Sequence, residues 1–330
     1  MIISSTPLRI SFFFFSGGSD IPAFHKDELG AALSATIDRS VYVMVHSSWN
    51  SKIVTKFDTV EESYHVQSVK HLITKNCLLY HNFLRGVTIS SMADIPTGGS
   101  GLGSSSAYTV GLSNAICHLG VYLDEAFPDI LAENACKIEI DMCGFPIGKQ
   151  DQYAAAYGGF NQFFFGGDTT ERVPVIFDFE KLRERLLLYY TGISRNANVI
   201  LSEQKDNIIN NPETRKIIRK NVYRVLDGKS YLTSHRFDDF GNLLHESWMD
   251  KKQLAAGITN NYIDNVYSTA MEHGALGGKV LGAGGGGFIL FYVPSDETRQ
   301  NVREMLKEYP DLKEFSFGFH KDGSRILNVC

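Results

Sequence analysis

Residues 94–112 read Asp94-Ile-Pro-Thr-Gly-Gly-Ser-Gly-Leu-Gly-Ser-Ser-Ser-Ala-Tyr-Thr-Val-Gly-Leu112, and between Gly98 and Ser106 they hold four glycines and four serines. Behind the serines runs a helical pattern, Ala107, Val110, Ala115 and Leu119, which Gly120 closes as a helix C-cap would. The spacing therefore predicts a glycine-rich turn that ends on a helix N-terminus. Free backbone N–H groups and the positive end of the helix dipole converge there, and glycines let an anion approach the main chain without meeting a Cβ. Phosphate is the expected guest. The spacing is neither that of a P-loop nor a strict Gly-x-Gly-x-x-Gly dinucleotide fingerprint. A Gly-Ser surface loop is the alternative, but such a loop does not account for the helix that follows.

A chain of 330 residues with 43% hydrophobic content is long enough for two domains with substantial cores. Its net charge of -5 and pI near 6.1 come without a dense basic run, so neither nucleic acid nor a membrane surface is expected as a partner. Five cysteines, Cys77, Cys117, Cys136, Cys143 and Cys330, form no Cys-x-x-Cys pair, which suggests neither disulfide framework nor zinc ribbon and fits a reducing cytoplasm. The aromatic run Phe12–Phe15 lacks a basic leader and a small-residue cleavage site.

Pro96 with Gly101-Leu-Gly-Ser-Ser-Ser-Ala107 resembles the second signature of the galactokinase, homoserine kinase, mevalonate kinase and phosphomevalonate kinase (GHMP) superfamily. Two more signatures flank it. Near the start, Pro7-Leu-Arg-Ile-Ser11 leads through the aromatic run to Gly17-Gly-Ser-Asp20, and near the end Gly277-Gly-Lys-Val-Leu-Gly-Ala-Gly-Gly-Gly-Gly-Phe288 runs into an apolar strand. The first of these is most similar to the branch of heptose 7-phosphate kinases and fucokinases. It departs from the family pattern in spacing, because Arg9 to Asp20 spans eleven positions against about nine. A bulged strand or an enlarged turn is expected to absorb the difference.

The resemblance implies an α+β fold, the GHMP kinase fold: a ribosomal protein S5 domain 2-like N-terminal domain, residues 1–180, and a ferredoxin-like C-terminal domain, residues 181–330. ATP is expected on Pro96, Gly98, Gly99, Ser100, Gly101, Leu102, Gly103, Ser104, Ser105 and Ser106. Mg²⁺ is expected on Ser105 and Glu139, which stands five residues before Gly144; a solvated helix glutamate is the alternative. Gly148-Lys-Gln-Asp-Gln152 matches the family turn whose aspartate meets the substrate hydroxyl, so Asp151 becomes the candidate catalytic residue with Arg9 beside it. From periodicity alone Asp151 would be a helix N-cap. For the substrate the candidates are Gly18, Ser19, Asp20, Lys149, Arg195, Gly284 and Gly285. Arg195, in Thr191-Gly-Ile-Ser-Arg195, reads equally as a ligand for an anionic substituent and as a surface charge.

The activity implied is ATP-dependent phosphorylation of the anomeric hydroxyl of a sugar, D-glycero-D-manno-heptose 7-phosphate first, toward nucleotide-activated heptose for cell-surface polysaccharide. Fucose or another sugar, or a sensor that binds ATP and sugar without turnover, are the alternatives. A homodimer is compatible with all of these. Elsewhere the pattern predicts two short strands over 29–46, a helix over 70–85, a strand at 87–91, and a helix capped by Asp124 with Ile130, Leu131, Ala135, Ile138 and Met142 inward. It further predicts strands at 159–165 and 173–179, a linker at 180–185, a strand at 186–190, helices over 197–273, a helix at 297–308 and a last strand at 315–319.

Overall fold

A computed structural model describes residues 1–13, 18–96, 99–120 and 126–329. Two sheets organise them. The first has eight strands, built on β1 (Ile2–Phe13) and β2 (Gly30–Ser47), which pair antiparallel along their length. β5 (Val87–Ala93) continues the sheet beside the second half of β2, followed by β3 (Ile53–Lys56) and β4 (Val60–Ser63). β6 (Phe160–Gly166) occupies the first half of β2's free edge, with β7 (Thr169–Pro174) outside it.

β2 is one eighteen-residue strand where the pattern predicted two short ones. Its alternation fails around Ile37–Ser40 because its partner changes there from β6 to β5, with no turn between. Every residue from Gly30 to Ile37 is buried, and β2 packs on α3 (Ser104–Gly120), α5 (Gln150–Tyr157) and α8 (Pro212–Thr233). Strands covered on both sides lose the alternation by which a half-buried strand is recognised.

The expected Arg9–Asp20 adjustment begins in β1, whose register shifts between Pro7 and Arg9 and again between Ser11 and Phe13. Phe14–Gly17 lie outside the described residues, as do Thr97, Gly98, Asp124 and Cys330. The helix assigned to Asp124 starts at Pro128, with Phe127 at its N-cap (α4, Pro128–Cys136). Met142 ends exposed, because the helix changes to a π turn over Lys137–Met142 and its inward face rotates. β7 begins at Thr169, earlier than predicted, and the proposed linker is a short helix, α6 (Phe179–Arg183).

β8 (Leu186–Tyr190) opens the second sheet, four antiparallel strands in the order β11-β8-β10-β9, with β9 at Gly277–Val280, β10 at Phe288–Tyr292 and β11 at Lys313–Glu314. Around it stand α7 (Ala197–Asn210), α8, α9 (Phe237–Lys251), α10 (Asn261–Glu272) and α11 (Asp296–Leu306). Phe315–Phe319 makes only an isolated bridge, Phe319 to Ile37. The terminal strand is β12 (Arg325–Val329), and it leaves the second sheet to pair with β1. Among the described residues no helix is long and apolar enough to cross a membrane.

Candidate active site

Two glycine-rich segments from distant parts of the chain, around Gly99–Ser105 and around Gly282, line one cavity of about 1510 Å³. β5 delivers the first loop. Gly99, Gly101 and Gly103 all have positive φ (68°, 79° and 72°), which lets the chain fold tightly before α3 begins at Ser104. The first amide of that helix with an acceptor inside it is Ala107's, on the Gly103 carbonyl at 2.9 Å. The amides of Ser104, Ser105 and Ser106 precede it and have no acceptor within the helix. Gly99, Ser100, Gly101, Gly103, Ser104 and Ser105 line the cavity; Leu102 is fully buried beneath them and Pro96 is exposed.

The second segment closes against this loop. A Cβ on Gly101 would stand 2.5 Å from the Leu281 carbonyl oxygen, one on Gly282 would stand 2.4 Å from the Gly101 α-carbon, and one on Gly287 would meet the Ser100 oxygen at 2.4 Å. The two loops thus touch main chain to main chain, a distance no larger residue permits. Phe288 N donates to Ser100 O (3.1 Å), which ties β10 to the loop.

Gly103 faces the expected catalytic pair. A Cβ there would lie 3.2 Å from Arg9 Nε and 3.3 Å from Asp151 Oδ2. Arg9, 2% exposed, pairs through Nη2 with Asp151 Oδ1, and its amide donates to Leu102 O at 3.2 Å. Asp151 is 28% exposed and lines the cavity. It sits in the first turn of α5, whose N-cap is Lys149 without a side-chain cap bond, so capping is not what holds the Asp151 carboxylate.

Asp20 lies behind that pair, 3% exposed, its Oδ2 accepting from Gln150 N at 3.2 Å. Gly148 makes this possible, because a Cβ there would fall 1.9 Å from the Asp20 carboxylate. Burial, and then the Asp151 charge, push the Asp20 carboxyl up to about 7. Ser19 is fully buried, and its hydroxyl is committed to the backbone of Ala31: it donates to the oxygen at 3.0 Å and accepts from the amide at 3.3 Å. Gly18, with φ 119°, packs on Ile208 and Ile218 of the second half. Lys149 is half-buried, near enough to His25 for its charge to help depress that imidazole.

Glu139 is fully buried on the π turn, which is closed by Cys143 N donating to Ile138 O at 2.9 Å. Such turns recur at functional sites because they rotate one side chain out of helical register. Its Oε2 accepts from Gln152 Nε2 at 2.7 Å, while Oε1 has no hydrogen-bond partner among the described residues. Burial raises this carboxyl to about 7, against the Ser106, Gln152 and Ser105 side chains, which favour its charged form. A buried carboxylate with an idle oxygen beside a helix that opens on three serines suits a divalent cation. Mg²⁺ takes one or two carboxylates and completes its shell with phosphate and water. No group of three or more His, Cys, Asp or Glu side chains that could hold a metal occurs among the described residues.

Arg195 spans the two loops, donating from Nε to the Gly284 carbonyl and from Nη1 to Gly99 O at 3.2 Å. Burial lowers its pKa to about 10. Gly284 and Gly285 pack on Ile258 and Gly257 rather than lining the cavity; Gly282 and Ala283 line it instead.

The far end of the cavity carries residues that no sequence motif marked. Thr55, Phe57, His71 and Tyr108 form its wall, with Phe57 and His71 at 5.0 Å between ring centroids and Tyr108 edge-on to both. Thr74 links His71 and Tyr108 by hydrogen bonds of 2.7 Å to each. The rings come from β3's end, the start of α2 (Leu72–Tyr80) and α3, so only the assembled sheet brings them together.

The glycine-rich loop at the N-terminus of α3 therefore stands against the Arg9–Asp151 ion pair with Gly103 between them. Comparison with known proteins gives the family. The GHMP kinases N-terminal domain matches residues 63–159 and the GHMP kinases C-terminal domain residues 229–312, together more than half of the chain. The chain belongs to the GHMP kinases: it is a sugar kinase, transferring a phosphoryl group to an alcohol acceptor. It is 29% identical over 335 residues to the D-glycero-alpha-D-manno-heptose 7-phosphate kinase of Campylobacter jejuni, covering 96% of each chain. Against the bifunctional fucokinase/GDP-fucose pyrophosphorylase of Arabidopsis thaliana it is 24% identical over 93% of its length and 31% of that protein. A D-glycero-D-manno-heptose 1-phosphate kinase from Bacteroides thetaiotaomicron has the same fold, with TM-score 0.78, 23% identity and 100% of both chains covered.

Proposed function

We propose that the protein transfers the γ-phosphoryl group of ATP to the anomeric hydroxyl of D-glycero-D-manno-heptose 7-phosphate, giving the 1,7-bisphosphate on the way to nucleotide-activated heptose for cell-surface polysaccharide. One observation carries the reaction: Gly103 abuts both Arg9 and Asp151, so the expected phosphate loop and the expected acceptor-activating pair share a wall. Similarity over almost the full length to a heptose 7-phosphate kinase supports the choice of sugar.

In this reading the base enters the aromatic end at Phe57, His71 and Tyr108, and the phosphates lie over Gly99–Gly103 and the amides of Ser104–Ser106. Mg²⁺ would be held by Glu139 and Ser105, where it neutralises charge on the phosphates. Asp151 orients the acceptor hydroxyl and takes its proton. Arg9 fixes the Asp151 carboxylate and supplies positive charge where it grows during transfer. This reading assigns the sugar hydroxyls to Asp20 and the sugar's own phosphate to Lys149, whose amide donates to Asp20 O at 3.3 Å.

An ADP-release assay with ATP and either heptose 7-phosphate or fucose tests this, with phosphorus NMR to place the new ester. Faster turnover of the heptose with an anomeric product is expected. A preference for fucose would move the protein to the sugar 1-kinase alternative, and binding without turnover of either would make it a sensor.

A further inference from the structure

Two basic side chains of the second half hold carbonyls of the glycine loops, Arg195 from the cavity wall and Lys251 from outside the cavity lining. Arg195 takes the oxygens of Gly99 and Gly284. Lys251, the last residue of α9 and 2% exposed, donates from Nζ to Val280 O at 3.0 Å and to Gly282 O at 2.7 Å. In a trans peptide the C=O and the following N–H point in opposite directions, and no described peptide bond is cis. With the Gly282 carbonyl on Lys251, the Ala283 amide points away from it; with the Gly99 carbonyl on Arg195, so does the Ser100 amide. Ser100 and Ala283 both line the cavity. The other two amides that follow held carbonyls are used internally, Leu281 N on Phe288 O at 2.8 Å and Gly285 N on Ile258 O at 2.7 Å.

We propose that Lys251 and Arg195 are positioning residues that lock the glycine peptides with their N–H groups toward the nucleotide phosphates, so that Ala283 of the second half completes the phosphate cradle. The proposal rests on the cavity being the nucleotide site. A glycine loop binds an anion only while its amides, and not its carbonyls, face the ligand. Glycine peptides turn over easily, since glycine occupies positive and negative φ with little preference, and here Gly99 and Gly282 have φ of 68° and 66°. A cation on each carbonyl removes that freedom. Lys251 is costly to keep charged: burial, with Arg195 and Arg9 adding to it, lowers its pKa to about 7, and the equally buried Lys279 stands close by. Phosphate charge on the other side of the peptide offsets that cost.

The test is calorimetric binding of ATP and of adenosine to the wild-type protein, Lys251→Met and Arg195→Met. Each variant is expected to lose about tenfold or more in ATP affinity while adenosine binds as before. Lys251→Met should melt no lower than wild type without ligand, since replacing a buried charge by an apolar chain is often neutral or stabilising. Undiminished ATP affinity, or an equal loss for both ligands, would overturn the positioning role. If Lys251→Met does not fold, Arg195→Met decides by the same pair of affinities. A wild-type protein that binds ATP no better than adenosine would instead overturn the nucleotide-site reading beneath it.

Discussion

Asp151 occupies the first turn of α5, where the helix dipole already favours a carboxylate, yet its partner is Arg9, 142 residues earlier in the chain. Removing its charge has two consequences. Asp151→Asn should lose about 10² to 10⁴ in turnover, because the amide accepts no proton from the acceptor. It should still fold: the Asp151 charge is one of the causes that hold the Asp20 carboxyl near 7, so without it Asp20 ionises more readily and faces Arg9. Carbon-detected NMR of labelled aspartate would follow this as a fall in the Asp20 midpoint, and an unmoved midpoint would show that Asp20 does not share the cation. Glu139 permits a second prediction, in the absence of Mg²⁺. A carboxyl whose folded pKa is raised to about 7 binds more protons folded than unfolded between its unfolded value of 4.5 and 7, so its contribution to stability falls as pH rises through that window and levels off above it. Glu139→Gln carries no such penalty. Urea titrations should find it more stable than wild type by a margin that grows from pH 4.5 to 7, up to about 3 kcal/mol, and shrinks when Mg²⁺ and ATP are added.

At the scale of elements, the glycine-rich loop before α3 is defined as much by what presses on it as by its own glycines. Gly101→Val would meet the Leu281 oxygen at a position where the Cβ alone is only 2.5 Å away, and would adopt φ of 79°, which a β-branched residue does not tolerate. The Gly101→Val/Gly103→Val double variant should retain its circular dichroism spectrum and lose ATP binding; unchanged ATP affinity would move the phosphates elsewhere. The same pressing explains why the glycine run 284–287 is no linker: Gly287 lies on the Gly99 and Ser100 carbonyls and Gly286 on Ile193.

Across the whole molecule, the halves are joined beside Asp20 by an ionic latch. Arg215 of α8 donates to Glu28 Oε1 from Nε at 2.9 Å, to Ala23 O at 3.1 Å and to Asp27 Oδ2 at 3.2 Å, while Arg219 holds both oxygens of Glu28. These partners follow Asp20 by a few residues, so the latch fixes the segment that carries it. It is partly exposed, with Arg219 open to solvent, so it weakens with salt. Glu28→Gln should lower the melting temperature in dilute buffer and abolish most of its decline between low and high salt; an unchanged salt dependence would show that the latch contributes nothing in solution. β12 adds a second tie, returning the end of the chain to β1.

The sequence alone determined the family and the glycine-rich loop before a helix, and through the family resemblance it singled out Arg9, Asp20, Glu139 and Asp151 as candidates, although periodicity by itself read Asp151 as a helix N-cap. Gly103 before Ser104 reads as a turn into a helix N-terminus in any context. Tertiary structure decided the rest. It alone showed that Asp151 pairs with Arg9 instead of capping α5, that Ser19 is spent on Ala31, and that Arg195 stands on the loop carbonyls. It also decided that β2 is a single strand, that Phe315–Phe319 is not the last one, and that Phe57, His71 and Tyr108 form one wall. The reason is common to all of these. Each depends on which distant backbone lies alongside, and a side chain's partner across a sheet or a domain joint leaves no periodicity in its own neighbourhood.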